Sequence, residues 1–133
     1  YVIFTGGEPL LQLDEELISQ MHDFDFEIAI ESNGTLPLPQ GIDWVCLSPK
    51  GSSSVVFESC DELKLVYPQE EALPEHYQDF PARHYFLSPM ADPKVHAGED
   101  SKKANITRLA LDYCLSHPQW RLPLQMHKLL GID

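Results

Sequence analysis

The stretch YVIFTGGEPLLQLDEEL, residues 1–17, decides the fold, because an apolar run meets two glycines, a glutamate and a proline before a leucine-rich segment begins. Residues 1–4 suit a buried strand. Gly6 and Gly7 allow backbone angles that other residues rarely adopt, and Pro9 fits the first turn of a helix. The stretch therefore predicts a strand, a tight turn and a helix start.

The helix after this turn is predicted to be amphipathic and to continue without a break. Its apolar face contains Leu10, Leu13, Leu17 and Met21, with Leu11 and Ile18 beside it. The acidic residues Asp14, Glu15 and Glu16 are assigned to its solvated face.

Glu8 lies where the carboxyl end of the strand passes into the amino terminus of the helix. The helix dipole and the free N–H groups at such a point favour an ionised carboxylate. Two roles fit this position: a capping glutamate on a solvated turn, or a carboxylate that holds the ammonium group of a ligand. The stretch itself leaves both roles open.

Apolar strands that end at a polar or proline-containing corner recur along the chain. They are predicted at residues 26–30, 44–47, 63–67 and 85–87. The connecting segments carry too few turn signals for hairpins, which predicts parallel strands joined by helices or irregular crossovers. Because ligands of such α/β folds bind beyond the carboxyl ends of the strands, we expect Glu8, residues 31–35, Lys50 and residues 88–90 to converge.

A second helix and a last strand are predicted near the end of the sequence. The helix spans residues 105–117. Its buried stripe contains Ile106, Leu109 and Tyr113, with Ala110 and Cys114 beside it. Residues 120–127 alternate between apolar and polar side chains, which predicts a half-buried strand. Pro123 cannot donate to a sheet, so this strand is expected at an edge or irregular.

The composition indicates one globular domain, residues 1–133, at 43% hydrophobic and 23% charged residues. Nine basic and 21 acidic residues give a net charge of -12, which argues against a nucleic-acid backbone or an anionic membrane as the main partner. The sequence has no apolar run as long as a membrane span and no leader, so we expect a cytoplasmic protein. Since it starts inside a predicted strand without Met, we also expect it to be a fragment.

The cysteines, Lys50 and Met90 are the further residues whose chemical role the composition and spacing address. Cys46, Cys60 and Cys114 are odd in number and far apart, which predicts free thiols and not a disulfide framework or a zinc site. Lys50 is either a ligand contact or a solvated charge, and Met90 either packs against an adenine or fills the core.

Six segments together carry a resemblance to a known family. They are TGGEPLLQ at 5–12, ESNGT at 31–35, SPK at 48–50, ELKLVYPQ at 62–69, SPM at 88–90 and HPQWRLPLQMHKLLGI at 117–132. In order and spacing they resemble the 7-carboxy-7-deazaguanine synthases, which are radical S-adenosylmethionine enzymes. GGEP alone is shared by that superfamily, whereas WRLPLQMHK and LKLVYPQ are specific to the family.

The resemblance implies a partial (βα) barrel of the radical S-adenosylmethionine type with mostly parallel strands, of which this chain is the carboxyl-terminal part. It implies a carbon–nitrogen lyase of queuosine (7-deazapurine) biosynthesis, in which the 5′-deoxyadenosyl radical takes a hydrogen atom from 6-carboxy-5,6,7,8-tetrahydropterin. Ring contraction with loss of ammonia then gives 7-carboxy-7-deazaguanine. The implied cofactors are S-adenosyl-L-methionine, a [4Fe-4S] cluster and Mg²⁺, and the implied partners are an electron donor such as flavodoxin and a second copy of the chain.

The family's contacts carry over by position. The residues that resemble S-adenosylmethionine contacts are Gly7, Glu8, Ser48, Pro49, Lys50, Ser88, Pro89, Met90 and Ala91. Among them, Glu8 and Gly7 resemble the motif that holds the methionyl amino group. Those that resemble substrate contacts are Thr5, His127 and Asp133, and Ser32 and Thr35 rank below all of these. No residue is assigned as catalytic, and no metal ligand is assigned in this chain.

The chain also departs from the family pattern. SPMA stands where QPMD is expected, and QMHK where QTHK is expected. The CxxxCxxC cluster motif and the magnesium-binding threonine precede GGEP in the family and are absent here, so the chain alone is expected to be inactive. Two alternatives stay open: a non-catalytic module that binds S-adenosylmethionine, a pterin or another chain, and a different radical S-adenosylmethionine enzyme such as an activase.

Overall fold

A parallel β-sheet organises the protein. The computed structural model describes residues 1–90 and 100–124. The strands are β1 (Val2–Phe4), β2 (Ile28–Ser32), β3 (Trp44–Leu47), β4 (Cys60–Tyr67), β5 (Ala82–Pro89) and β6 (Trp120–Arg121). They lie side by side in chain order and every neighbouring pair is parallel. The predicted α/β class with parallel strands is confirmed, and in the described part β1 and β6 are the two edges of an open sheet.

Helices connect several of these strands. The α-helices are α1 (Glu15–His22) and α2 (Asp100–Ser116), and the short 3-10 helices are Pro9–Leu11, Glu70–Ala72 and Pro74–Tyr77. The last two lie between β4 and β5 and form the connection for which the sequence predicts a helix or an irregular crossover. No helix in the described ranges is both long and apolar enough to cross a membrane.

The prediction of one continuous helix from Pro9 is wrong. A 3-10 helix, Pro9–Leu11, is followed by a separate α1, because the Asp14 side chain accepts a hydrogen bond from the Leu17 N–H at 2.9 Å and starts a new helix. Asp14 is thus an N-cap, and it is exposed together with Glu15 and Glu16, as the prediction of a solvated acidic cluster requires. The predicted apolar face is also wrong in part, since Leu17 is 40% exposed while Ile18 is 2% exposed.

One face of the sheet forms the core. It contributes Ile28, Ile30, Val45, Leu47, Leu63, Leu65 and Leu87, all buried. Ile18 of α1 and Ala110 of α2 pack against this cluster. In α2, Ala110 is fully buried as the stripe requires, but Leu109 is 52% exposed, so the predicted stripe is wrong at that residue.

The opposite face of the sheet is polar and aromatic, because side chains alternate along each strand. Lys64 on β4 forms an ion pair with Glu31 on β2 at 2.6 Å, and the Trp44 indole donates to Glu62 at 2.8 Å. His84 stacks on Trp44 with ring centroids 5.9 Å apart. A cleft of about 380 Å³ opens along this face.

The last strand is shorter than predicted in the described part. Trp120–Arg121 pairs with β5 at one edge of the sheet, as the Pro123 argument expects, and residues 122–124 are not in a strand. Residues 125–127 of the prediction lie outside the described residues. The three cysteines are free, as predicted, and burial raises the pKa of the Cys46 and Cys60 thiols to about 12.

Candidate functional site

The site begins with the turn between β1 and the first 3-10 helix. Gly6 and Gly7 have φ of 77° and 58°, a left-handed conformation that strains any residue with a side chain. A Cβ at either position would meet no atom within 4 Å, so the space above this turn is open. The two glycines bring the chain to Glu8, which returns to an extended backbone with φ −115°.

The half-buried Glu8 carboxylate joins two elements. Its Oε1 accepts hydrogen bonds from the Leu10 N–H at 3.2 Å and from the Ser32 hydroxyl at 2.8 Å. Its Oε2 accepts from the Asn33 N–H at 2.9 Å. Glu8 therefore does cap the 3-10 helix, but it is also tied to the carboxyl end of β2, which a solvated capping residue would not be.

The turn after β2 is held by its own side chains. The Ser32 hydroxyl accepts from the Gly34 N–H at 3.0 Å. The Asn33 Oδ1 accepts from the Thr35 N–H at 2.9 Å and from the Thr35 hydroxyl at 2.7 Å. Thr35, the lower-ranked candidate, thus has its hydroxyl engaged inside the turn, whereas Ser32 directs its proton to Glu8.

The corner after β3 lies next to this turn. The Ser48 N–H donates to the Ser32 carbonyl at 2.7 Å. The Lys50 ammonium donates to the Ser48 hydroxyl at 3.1 Å, while Pro49 beneath it is buried. Lys50 itself is exposed, so its ammonium has donors left for another acceptor.

The corner at residues 88–90, whose first two residues close β5, lies at the same carboxyl end of the sheet but is not bonded to the others in the described residues. Ser88, Pro89 and Met90 are half-buried, and the Met90 N–H donates to the Tyr67 carbonyl at 2.8 Å. Ser88 pairs with Val66 and shares the polar sheet face with it. Thr5 is exposed at the end of β1. The candidates Ala91, His127 and Asp133 lie outside the described residues.

Hydrogen bonds therefore connect Glu8, the end of β2 with the turn after it and the corner at residues 48–50. Glu31 and Ser32, which the sequence predicts in that turn, belong to β2. Sequence reasoning placed the three connected segments together but missed that Ser32 is the residue between them. The available signal was a serine at the end of the neighbouring parallel strand, since that position faces the turn that follows β1.

The geometry fits a ligand that carries an ammonium group. An ionised carboxylate has about four acceptor positions. Glu8 uses two on Oε1 and one on Oε2, which leaves one on Oε2 for a further donor. The open Gly7 turn lets a ligand approach the backbone, and Lys50 supplies a positive charge for a ligand carboxylate.

The described residues offer no set of side chains for an iron–sulfur cluster. Within residues 1–90 and 100–124, no group of three or more His, Cys, Asp or Glu side chains is placed to hold a metal ion.

Comparisons with known proteins identify relatives that share one name. No family model matches the chain. A protein of Bordetella pertussis named 7-carboxy-7-deazaguanine synthase is 54% identical over 99% of this chain and 59% of its own length. Proteins of the same name are 51% identical in Bradyrhizobium diazoefficiens, over 99% of the chain and 59% of their own length, and 31% identical in Prochlorococcus marinus, over 98% and 67%.

The chain spans 59% of the length of the two more similar relatives, so it corresponds to a part of their sequence. Within that part the similarity covers both the described corners and the residues that the structure does not describe. On these findings, the chain belongs to the 7-carboxy-7-deazaguanine synthase family.

Proposed function

We propose that this chain works as part of a 7-carboxy-7-deazaguanine synthase, a carbon–nitrogen lyase of queuosine (7-deazapurine) biosynthesis. The observation that carries the proposal is the 54% identity, over 99% of the chain, to a relative of that name. The substrate proposed for the whole protein is 6-carboxy-5,6,7,8-tetrahydropterin, and the product is the ring-contracted 7-carboxy-7-deazaguanine formed with loss of ammonia.

The open sheet is proposed to be part of a (βα) barrel of the radical S-adenosylmethionine type. Three features support this: the strands of the described residues are all parallel, they follow chain order, and the core helices cover one face while the other is polar. In such a barrel the Glu31–Lys64 pair and the Trp44–His84 stack would face the interior.

The site at the carboxyl ends of the strands is proposed to bind S-adenosylmethionine. Glu8 would hold the methionyl ammonium group through the open position on Oε2, with the Gly7 backbone beside it. Lys50 would contact the methionyl carboxylate or ribose, and Ser48, which is 1% exposed, would hold the Lys50 ammonium in place. Residues 88–91 would contact the remainder of the ligand. When bound at a reduced [4Fe-4S] cluster, S-adenosylmethionine supplies the radical that abstracts hydrogen from the substrate.

The chain's own residues orient the ligand and do not supply the redox chemistry. Thr5 at the end of β1, with His127 and Asp133 beyond the described residues, would contact the pterin. The ligands of the cluster and of Mg²⁺ are proposed to come from the part of the relatives' length that this chain does not span. Flavodoxin as electron donor, a homodimer and a cytoplasmic location are further proposals that follow from the family.

The proposal is tested on the full-length protein, reconstituted anaerobically with iron and sulfide and supplied with S-adenosylmethionine, reductant, Mg²⁺ and the tetrahydropterin. Product should form, and Glu8→Ala should lower its rate at subsaturating S-adenosylmethionine roughly tenfold to a hundredfold, because a charge-assisted hydrogen bond is lost.

Glu27→Ala is the matched control, because Glu27 is exposed at the amino end of β2, the opposite end of the sheet from the site. Its rate should equal that of the unmodified protein. No product from a protein with an intact cluster would overturn the proposed function, and equal rates in both variants would overturn the role of Glu8.

A further inference from the structure

Ser32 occupies an unusual position at the end of β2. It is 2% exposed, although serine is a polar residue, and its hydroxyl makes two hydrogen bonds. The hydroxyl accepts from the Gly34 N–H at 3.0 Å, so its single proton is free to point at the Glu8 Oε1, 2.8 Å away. The turn thus leaves the hydroxyl proton available for Glu8.

The backbone of Ser32 is held as firmly as its side chain. Its carbonyl accepts from the Ser48 N–H at 2.7 Å, which ties the end of β2 to the corner after β3. The donor that reaches Glu8 is therefore fixed to two neighbouring elements and does not depend on the carboxylate for its own position.

The orientation of the Glu8 carboxylate depends on this donor. Of the two bonds to Oε1, the one from the Ser32 hydroxyl at 2.8 Å is shorter than the one from the Leu10 N–H at 3.2 Å. Because the Asn33 N–H already donates to Oε2, only one acceptor position of the carboxylate stays open, and it is on Oε2. Without the hydroxyl, the carboxylate could rotate about its terminal torsion, which is broad in glutamate.

We propose that Ser32 is a positioning residue, whose hydroxyl holds the Glu8 carboxylate in the orientation that presents one Oε2 acceptor to the ammonium group of the ligand. This inference rests on the proposed binding of S-adenosylmethionine and names the residue that prepares the site for it. Ser32 itself does not touch the ligand, since it is 2% exposed and its single hydroxyl proton is engaged by Glu8.

The test measures equilibrium binding to the full-length, reconstituted protein by dialysis, without turnover. Two ligands are compared: S-adenosylmethionine, which has the ammonium group, and 5′-methylthioadenosine, which lacks it. Ser32→Ala should weaken the binding of S-adenosylmethionine about tenfold and that of 5′-methylthioadenosine by no more than about twofold. Ser32→Thr, which keeps the hydroxyl, should restore most of the affinity.

Two controls separate positioning from a general loss of structure. Ile30→Val shortens a buried side chain in the same strand without touching Glu8, and it should leave both affinities unchanged. In a Glu8→Ala background, adding Ser32→Ala should cause no further loss of S-adenosylmethionine affinity, because the two residues act through one interaction.

The binding results can contradict either the positioning role of Ser32 or the proposed function. An unchanged affinity in Ser32→Ala, an equal loss for both ligands, or additive losses with Glu8→Ala would each overturn the positioning role while leaving the proposed function intact. An unmodified protein that does not bind S-adenosylmethionine at all would instead overturn the proposed function, and the inference with it.

Discussion

At the carboxyl end of β1, the Glu8 carboxylate has two tasks. It accepts the Leu10 N–H at the start of a 3-10 helix, and it connects that helix to the end of β2 through Ser32 and Asn33. A carboxylate can do both and still accept another donor, because its two oxygens offer about four acceptor positions. The two roles that the sequence left open for Glu8 are therefore compatible.

The turn after β2 allows a sharp prediction at the level of single residues. Gly34 and Gly51 both have a positive φ, 74° and 53°. A Cβ on Gly34 would collide with the Leu47 side chain and crowd that of Val55, whereas a Cβ on Gly51 would meet nothing within 4 Å. The two glycines share the backbone strain but differ in the space around them.

Gly51→Ala should lower the free energy of unfolding by about 1–2 kcal/mol, the strain of a left-handed residue. Gly34→Ala should cost about 1–3 kcal/mol more, because it also overpacks the core. Urea unfolding of the full-length protein, followed by circular dichroism, measures both. Equal losses in the two variants would show that the core next to Gly34 yields to a methyl group.

The secondary-structure elements show where prediction from sequence succeeds. The sequence predicts β3 at its observed bounds, because the apolar run Trp44–Leu47 ends at a Ser-Pro corner. β4 and β5 each begin three residues before the predicted start, at Cys60 and Ala82. The first residues of both strands place charged and histidine side chains on the polar face of the sheet. A search for apolar runs therefore misses where these strands start.

The same reasoning explains the failures around the site. Sequence patterns predict that Glu8 and the corners meet at the carboxyl ends of the strands, because this follows from a parallel sheet alone. They could not assign the Ser32 hydroxyl to Glu8, since this contact spans 24 positions and depends on the register of β1 against β2. Leucine spacing predicts a continuous early helix, and this pattern passes over Asp14, the N-cap signal that starts a new helix three residues before Leu17.

The contact between the end of α1 and the starts of β2 and β3 supports a prediction about how stability depends on pH. The Asp43 carboxylate accepts from the Ile28 N–H at 2.8 Å and lies 3.0 Å from the His22 Nε2. The hydrogen bond from Ile28, and next the one from His22, hold the pKa of Asp43 below its ordinary value of 3.8. The unfolded chain therefore binds the proton more readily than the folded one.

The contribution of Asp43 to stability is accordingly complete above its ordinary pKa and is lost as the pH falls through the lowered, folded value. Asp43→Asn should unfold at a lower urea concentration than the unmodified full-length protein at pH 7, and the difference should shrink below pH 3.8. Asp79→Asn, at an exposed carboxylate, is the control and should follow the unmodified protein. A deficit in Asp43→Asn that is independent of pH would contradict the assignment.

At the scale of the whole molecule, the sheet has two unequal faces and an open edge. The core face is covered by helices, whereas the polar face carries the cleft lined by Tyr1, Ile3 and Trp44. In the described part of the chain, β1 pairs with β2 on one side and has no strand on the other. Tyr1 and Ile3 on this edge are 65% and 58% exposed.

An unpaired edge with apolar side chains is a template for pairing with another strand. The 133-residue chain expressed by itself should therefore self-associate, with a mass by light scattering that increases with concentration. Ile3→Lys should reduce this association, because a charge on an edge strand opposes pairing. The control is Leu115→Lys, which removes a 70% exposed leucine from α2 and leaves the edge unchanged, so it should have a smaller effect.

The comparison between the two lysine variants identifies the surface that associates. If Leu115→Lys disperses the chain as well as Ile3→Lys does, general surface hydrophobicity drives the association and the edge of β1 has no special role. If the unmodified chain is monodisperse and unfolds cooperatively, the open edge is tolerated without a neighbour. Association that only Ile3→Lys relieves would instead indicate that β1 needs a further strand beside it, as the proposed barrel requires.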